Sequence, residues 1–530
     1  MWSNKDLDAN ANGVVSTGDA TLDKLVNQWI RWDKNAATQA QIKSLVQETR
    51  IEELRRRLCS RMTFGTAGLR AAMGAGFSRV NDLTVIQSTQ GMYVYLAKCF
   101  PDLKSRGLVV GYDTRAQECS GCTSERLARL TAAVMLSKDV PVYLFSTYVP
   151  TPFVPYAVKK CGTAAGVMIT ASHNRKEDNG YKVYWENGAQ ISSPHDKEIL
   201  RCIEQNADPW AESWNQDLAE SSSLRTDPLK DVCCWYMEEL STLCFHRELN
   251  TQSPLKFVHS SFHGVGHVYV QKAFQAFGFP PPIPVPEQMN PDPNFSTVSC
   301  PNPEEGESVL ELSLCLAERE GARIVLATDP DADRLAVAEQ CNKCGWKCFT
   351  GNELAALLAW WMLLNWKETH SDPAEIESVY MLATAVSSRI LKTMAEMEGF
   401  HFEAQQRLFF LRQLKKFNLP QAQMTQFYSA VIESVLCSSI TVWFGSASKS
   451  DIRRLQRTVR TAERIISVHL PNLQDLYNSR VKKRAANIIT DPSHPGHNLF
   501  ALLPSGRRYR SLCTRTSRHK NCFSPMPSPA

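Results

Sequence analysis

At 530 residues, 43% of them hydrophobic and with 59 Lys and Arg against 54 Asp and Glu, the chain has enough apolar material for several packed cores, which excludes a fibrous or wholly disordered protein. No uninterrupted apolar run approaches the ~20 residues of a membrane span, and Met1–Asn12 is polar, without the apolar stretch of a secretory leader. These features predict a cytosolic location, no membrane association, and 17 cysteines held mostly as reduced thiols.

In chain order, residues 1–20 are expected to be a disordered N-terminus. Ile86, Tyr93, Leu96 and Phe100 mark one face of a helix, and Leu127, Leu130 and Val134 mark another. Gly107–Tyr112, Val140–Phe145, Ala165–Thr170 and Arg323–Thr328 read as short buried strands. Strands alternating with helices predict an α/β fold of mixed sheets flanked by helices, with a first domain over residues 21–215 and a second over 225–345 that repeats the plan. The Pro-rich run Phe279–Pro303 has no sustained periodicity and reads as a long connection within the second domain. A further, truncated domain is expected over 350–403, opening at Gly351 with an apolar helix through Trp361. Cys341, Cys344 and Cys348 have a zinc-like spacing. With no second cluster of ligands they read as an ordinary loop.

Chemistry concentrates in two loops that are far apart in sequence. Thr170-Ala171-Ser172-His173-Asn174 follows one predicted strand, and Asp329-Pro330-Asp331-Ala332-Asp333-Arg334 follows another. Three carboxylates on alternate residues can hold a hard divalent cation, with Mg2+ the natural occupant. Such an ion can neutralise the charge that spreads over a transferring phosphoryl group, which Ser172 would carry. A calcium loop would need Gly at its sixth position and Glu at its twelfth, where this chain has Arg334 and Gln340. Taken singly, Ser172 also fits a helix N-cap, His173 a surface imidazole, Arg70 the end of a turn, and Lys182 a solvated lysine. The two loops together favour phosphoryl transfer.

With these loops, the runs Arg61–Arg70, Pro150–Tyr156, Ser261–His267 and Pro301–Gly306 resemble the α-D-phosphohexomutase superfamily in its phosphoglucomutase-2 branch, over about residues 20–403. The resemblance implies tandem phosphohexomutase-type domains. It implies Ser172 as the phosphoserine, with a phosphate oxygen completing a metal shell made by Asp329, Asp331 and Asp333. It further implies Arg70 and Arg334 as guanidinium forks on that phosphate, which they suit bidentately, and Lys182 and His173 as managers of the sugar hydroxyl's proton. A lysine near two arginines would have a lowered pKa and could serve as base. The activity implied is transfer of phosphate from 1,3-bisphosphoglycerate to glucose 1-phosphate, giving glucose 1,6-bisphosphate, with phosphoglucomutase and phosphopentomutase activities beside it. Arg175 stands where many mutases have Pro, and this points toward the bisphosphate-forming type.

From Ala404 the pattern changes. Residues 404–530 hold 20 Lys and Arg against 5 Asp and Glu, net +15, while the preceding part is net −10. The runs Phe427–Leu436, Trp443–Gly445, Leu455–Glu463 and Asp491–His497 resemble the C-terminal end of a non-LTR retrotransposon reverse-transcriptase polyprotein, without its catalytic aspartates. This tail is expected to be mainly helical or disordered, and able to touch nucleic acid through phosphate neutralisation at sites such as Arg507, Arg508 and Arg510, without specificity. The resemblance also implies a glutamate-pair sugar loop and an Arg-Thr-Ser-Gly-Thr-Glu-Pro phosphate clamp, and neither occurs after residue 403. Hexose turnover is therefore expected to be impaired. The alternative is a catalytically inactive truncated fusion or interaction protein with a basic tail.

Overall fold

The computed structural model describes residues 17–64, 68–341, 345–370, 372–383, 387–403, 415, 420–437, 440–490 and 497. The expected disorder of the N-terminus falls, for residues 1–16, outside them. The chain divides into two compact units, Met1–Leu357 and Leu358–Ala530.

In the first unit, β1 (Leu69–Ala72), β2 (Leu108–Tyr112), β5 (Val142–Leu144), β6 (Ala165–Ile169), β7 (Asp178–Trp185) and β8 (Arg225–Thr226) form a sheet ordered β1-β7-β6-β2-β5-β8. The two-residue strands β3 (Ala116–Gln117) and β4 (Cys122–Thr123) pair separately. Every residue of β2 and β6 is buried, as expected of parallel strands covered on both faces. Alternate side chains serve opposite cores. Leu108, Val110 and Val167 join the helices Asp82–Cys99 and Ser124–Leu136, while Val109 and Met168 join Phe153, Val154 and Val158 of the helix Phe153–Cys161. Of the predicted face Ile86, Tyr93, Leu96 and Phe100, Ile86, Leu96 and Phe100 are buried and Tyr93 is half-buried, while Leu127, Leu130 and Val134 are all fully buried. Three N-terminal helices, Ala20–Trp32, Ala36–Gln47 and Ile51–Leu58, close a further core around Trp29, Leu54 and Phe77, the first two capped by Asp19 and Asn35.

The second sheet of this unit contains β9 (Phe257–Ser260), β10 (Ile283–Pro284), β11 (Ile324–Thr328), β12 (Leu335–Cys341) and β13 (Gly345–Cys348), in the order β10-β9-β11-β12-β13. Here the Pro-rich run does more than connect. Ile283 and Pro284 supply an edge strand, where a missing N–H is tolerated, and Val285, Phe295 and Val298 enter the core. Cys341 pairs across the hairpin with Gly345, and Cys348 with Ala338, so the first and last cysteines of the zinc-like spacing sit at separated rungs; Cys344 lies outside the described residues.

The two sheets repeat one device. In each, a strand parallel to one neighbour (β6 to β2, β11 to β9) ends in a functional loop, and the chain returns as an antiparallel partner (β7, β12).

The second unit opens within the helix Gly351–Thr369, on which Leu357, Leu358, Trp361 and Met362 are exposed. A small parallel pair, β14 (Tyr380–Leu382) with β15 (His401–Glu403), packs with the helix Ile390–Glu398 around Leu363, Ala395 and Phe400. The described part of the basic tail is helical and has its own core. Lys449–Ile466 and Leu473–Thr490 bury Val459, Ala462, Ile466, Tyr477 and Val481 with Met424, Tyr428 and Phe444. Arg507, Arg508 and Arg510, and Asp491–Gly496, lie outside the described residues. Among the described residues no helix is long and apolar enough to cross a membrane.

Candidate active site at the serine and aspartate loops

Ser172 lies three residues beyond β6, 1% exposed, with φ 56°. A non-glycine residue in this left-handed region costs of order 1–3 kcal/mol and persists where its surroundings impose it. The surroundings are visible. Ser172 N–H donates to Thr170 Oγ1 at 2.8 Å, and the buried Arg115 guanidinium donates to the carbonyls of Ser172, Asn174, Arg175 and Asp178. The hydroxyl is thereby aimed across the cleft: Ser172 Oγ donates to Asp329 Oδ2 at 2.6 Å and lies 3.5 Å from Asp333 Oδ1.

The aspartate loop leaves β11 with Ala332 likewise left-handed, at φ 53°. Asp329 Oδ1 accepts the backbone N–H groups of Asp333 and Arg334 at 3.1 and 3.0 Å. Thr151 ties Asp331 to the first sheet, its N–H donating to Asp331 O at 2.8 Å and its hydroxyl to Asp331 Oδ2 at 2.5 Å. Each of Asp329, Asp331 and Asp333 offers an oxygen, all within 4.8 Å of one another. Asp331 Oδ1 is buried and accepts no hydrogen bond, and burial together with the two other carboxylates pushes Asp329 well above its ordinary value. An orphaned oxygen inside an all-oxygen cluster of three carboxylates, whose charge one ammonium offsets only in part, fits a hard divalent cation.

The sequence-predicted residues converge here, with one correction. Lys182, on β7 and 1% exposed, donates to Asp331 Oδ2 at 2.6 Å and Asp333 Oδ2 at 2.8 Å. Burial would lower its pKa, but the carboxylates outweigh burial and hold the ammonium well above its ordinary value. The Lys182 ammonium in turn holds Asp331 low in spite of its burial. The reading of Lys182 as a base depressed by arginines does not hold in this state, because its near neighbours are anions. His173 Nδ1 lies 3.3 Å from Ser172 Oγ, and burial, followed by the charges of Arg334 and Arg70, keeps the imidazole below its ordinary value and so neutral at pH 7. Arg70, on β1, reaches the serine loop at Ala171 O and Asn174 Oδ1, both 3.4 Å away, and its buried Nε has no hydrogen-bond partner. Arg334 turns its guanidinium to Glu304 Oε1 at 2.8 Å.

Residues 61–209 match the model described as phosphoglucomutase/phosphomannomutase, alpha/beta/alpha domain I, and residues 235–343 match its domain II counterpart. The chain belongs to the phosphohexomutase superfamily. Glucose 1,6-bisphosphate synthase from Homo sapiens is 68% identical over 407 residues, covering 76% of this chain and 65% of that protein, and Homo sapiens phosphopentomutase is 55% identical over 385 residues, covering 73% and 63%. This phosphohexomutase chain therefore spans a little under two thirds of the length of the curated relatives it matches. A solved phosphoglucomutase/phosphomannomutase family protein from Burkholderia thailandensis shares the fold at TM-score 0.50 and 18% identity, covering 68% of this chain and 70% of that one. Residues 403–434 match a model described as alkylated DNA repair protein alkB homolog 8, N-terminal, most of whose first half lies outside the described residues.

Three parts of the phosphohexomutase site escaped the sequence reading. Arg115 and its ion-pair partner Asp113, 3.2 Å apart and both fully buried, follow directly on the C-terminal end of β2, a position where open α/β sheets place ligand-facing residues. Thr151 lies inside the run Pro150–Tyr156, in which no residue type by itself signals a contact to the aspartate loop. The third is Gly264, where a Cβ would lie 2.2 Å from Pro330 Cα and 2.3 Å from Pro330 O, so the loop before the helix Gly266–Phe277 lies directly against the aspartate loop. No spacing rule signals that contact.

Proposed function

We propose that this chain is a phosphotransferase of carbohydrate metabolism that carries a phosphoryl group on Ser172, taking it from 1,3-bisphosphoglycerate and passing it to glucose 1-phosphate to give glucose 1,6-bisphosphate, with phosphoglucomutase and phosphopentomutase activities beside it. The observation that carries the reading is the 2.6 Å contact of Ser172 Oγ with Asp329 inside a three-carboxylate cluster that has an orphaned oxygen. Similarity to proteins named for sugar-phosphate chemistry supports the substrate class. Asp329, Asp331 and Asp333 would hold Mg2+, which when bound supplies neutralising charge to the phosphoryl oxygens.

In the loading half-reaction the Oγ–P bond forms, the acyl oxygen–phosphorus bond of the donor breaks, the carboxylate leaves with the electron pair, and the serine proton passes to the neutral His173 Nδ1, 3.3 Å away. Arg70, whose Nε is already desolvated and unpartnered, receives the phosphoryl oxygens. In the second half-reaction the sugar oxygen–phosphorus bond forms and the Oγ–P bond breaks, Oγ leaving with the electron pair and taking back the proton held by His173, while the proton of the sugar hydroxyl passes to the freed imidazole. Lys182 holds the Asp331 and Asp333 carboxylates in place, and its ammonium would be available to the sugar hydroxyl if the three aspartates held Mg2+. The reading for these 530 residues is loading of Ser172, with hexose turnover dependent on loops outside residues 61–343. The working compartment is the cytosol, and the basic tail takes no part in the chemistry, its contacts with nucleic acid being non-specific.

The test is mass spectrometry of the intact chain after exposure to 1,3-bisphosphoglycerate and Mg2+. One phosphate on the peptide containing Ser172, absent from Ser172→Ala and abolished by chelation, is expected. Equal labelling of Ser172→Ala would refute the assignment.

A further inference from the structure

A groove of about 780 Å³ opens beside the serine loop, walled by Arg175, Lys176 and Glu177 on one side and by residues 294–300 on the other. Its position relative to Ser172 is fixed by one group. Arg115 donates through Nη2 to the carbonyl of Ser172 and through Nη1 to the carbonyl of Arg175 at 2.7 Å, so the two residues are held one guanidinium's width apart. The same guanidinium lies 5.1 Å from the ring of Phe295, which lines the groove. The far wall is equally firm. Asp292 accepts from Asn294 N, Ser296 N and Ser296 Oγ, and Thr297 Oγ1 is bound to His263 Nε2 at 2.7 Å, within the run that contacts the aspartate loop at Gly264.

Against these walls, Arg175 and Lys176 are exposed and have no ion pair among the described residues, and a single carboxylate, Glu177, lines the groove with them. Two adjacent unpaired cations on a loop whose backbone is pinned form a ready anion site. The site already described accounts for one phosphoryl group, at Ser172, whereas a bisphosphorylated donor brings a second that must be neutralised elsewhere.

We infer that the groove is the subsite for the distal phosphate of the donor, Arg175 and Lys176 gripping the phosphomonoester while the acyl phosphate is presented to Ser172. This rests on the donor reading above. It makes the chain selective for a small bisphosphorylated acyl phosphate over an acyl phosphate with no second anionic group. No bond changes at this subsite; it acts through position.

Binding and loading together test it, and they fail separately. Isothermal titration calorimetry with 3-phosphoglycerate, which keeps the distal phosphate and needs no chemistry at Ser172, is expected to show binding to the full chain and to Ser172→Ala. The Arg175→Ala/Lys176→Ala variant should bind about ten-fold or more weakly, the worth of one or two charge-assisted contacts. In loading assays, that variant should lose a similar factor in kcat/KM with 1,3-bisphosphoglycerate and keep its rate with acetyl phosphate. Unchanged 3-phosphoglycerate affinity in the double variant, or no measurable binding to the unmodified chain, overturns the subsite even if Ser172 is loaded. Binding that follows the prediction supports it even if loading is never seen, in which case the donor reading alone fails.

Discussion

The serine loop and the aspartate loop do the same topological job, joining a strand with a parallel neighbour to an antiparallel return, each through one left-handed non-glycine residue, Ser172 or Ala332. They are held by opposite means. The serine loop is gripped by a buried cation, Arg115, whose guanidinium donates to four carbonyls. The aspartate loop is held by backbone contact at Gly264 and by its own charge, through Lys182. The difference follows from what each must display. The loop displaying a hydroxyl gives four carbonyls to one arginine, whereas the loop of carboxylates spends one oxygen, Asp329 Oδ1, on the N–H groups of Asp333 and Arg334 and keeps an oxygen of each aspartate facing the others.

The comparison breaks most severely at Gly264. Adding a methyl group there places carbon 2.2 Å from Pro330 Cα, and backbone on both sides leaves no flexible neighbour to yield. Gly264→Ala should cost about 4 kcal/mol or more, the exceptional range for a point substitution, and should abolish both cation binding and Ser172 loading. Denaturant unfolding and calorimetric Mg2+ titration check it. Near-normal values would show that the aspartate loop is held by charge alone. Arg115→Ala attacks the other loop. It leaves Asp113 buried without its ion-pair partner and removes the guanidinium donor from four carbonyls, for a loss of about 3–5 kcal/mol. Because the aspartate loop does not depend on Arg115, divalent-ion affinity should survive in whatever fraction remains folded; joint loss would mean the two loops are one cooperative element.

A third effect separates the sheets by pH. His259 on β9 is 1% exposed, next to Thr328 and facing His267, and burial, aided by the latter, lowers its pKa to about 3. The unfolded chain takes up a proton near the ordinary histidine value while the folded chain refuses it, so stability present above pH ~6.5 is lost as pH falls below it. Between pH 6.5 and 5 the unmodified chain should lose about 2 kcal/mol more than His259→Gln. Parallel stability curves for the two proteins would place the acid sensitivity elsewhere.

Strands β2, β5, β6 and β11 were legible because each is a short apolar run, and the helix faces at Ile86 and Leu127 because their period is helical. Ser172 and the aspartates were legible because chemistry restricts which residue types can stand at such spacing. Arg115 was not, since a buried arginine looks in sequence like any surface one until the carbonyls it serves are known. Phe295 and Val298 were misjudged with the connection around them, because burial of an irregular segment leaves no period to read. The tail was half legible. Its Arg-rich helix Lys449–Ile466 signals an exposed face, but the core it forms with Tyr428 and Tyr477 depends on contacts across tens of residues.

The smallest predicted effect contrasts two arginines. Arg115 is fully buried with both of its Nη groups donating to carbonyls, whereas Arg334 keeps a side chain 36% exposed and paired to Glu304, itself 63% exposed. Such a surface pair contributes about 0–1 kcal/mol, so Glu304→Gln should leave the unfolding free energy unchanged within that margin. Its consequence should appear instead in loading. Arg334 lies close enough to depress His173, and a guanidinium released from its carboxylate can turn toward the phosphoryl oxygens arriving at Ser172. Time courses of phosphate incorporation should therefore be equal to or up to a few-fold faster than in the unmodified chain, within the ~1 kcal/mol such a pair is worth. A slower course would mean that Glu304 aims Arg334 and does not merely park it, making the movable arginine as fixed in purpose as the buried one.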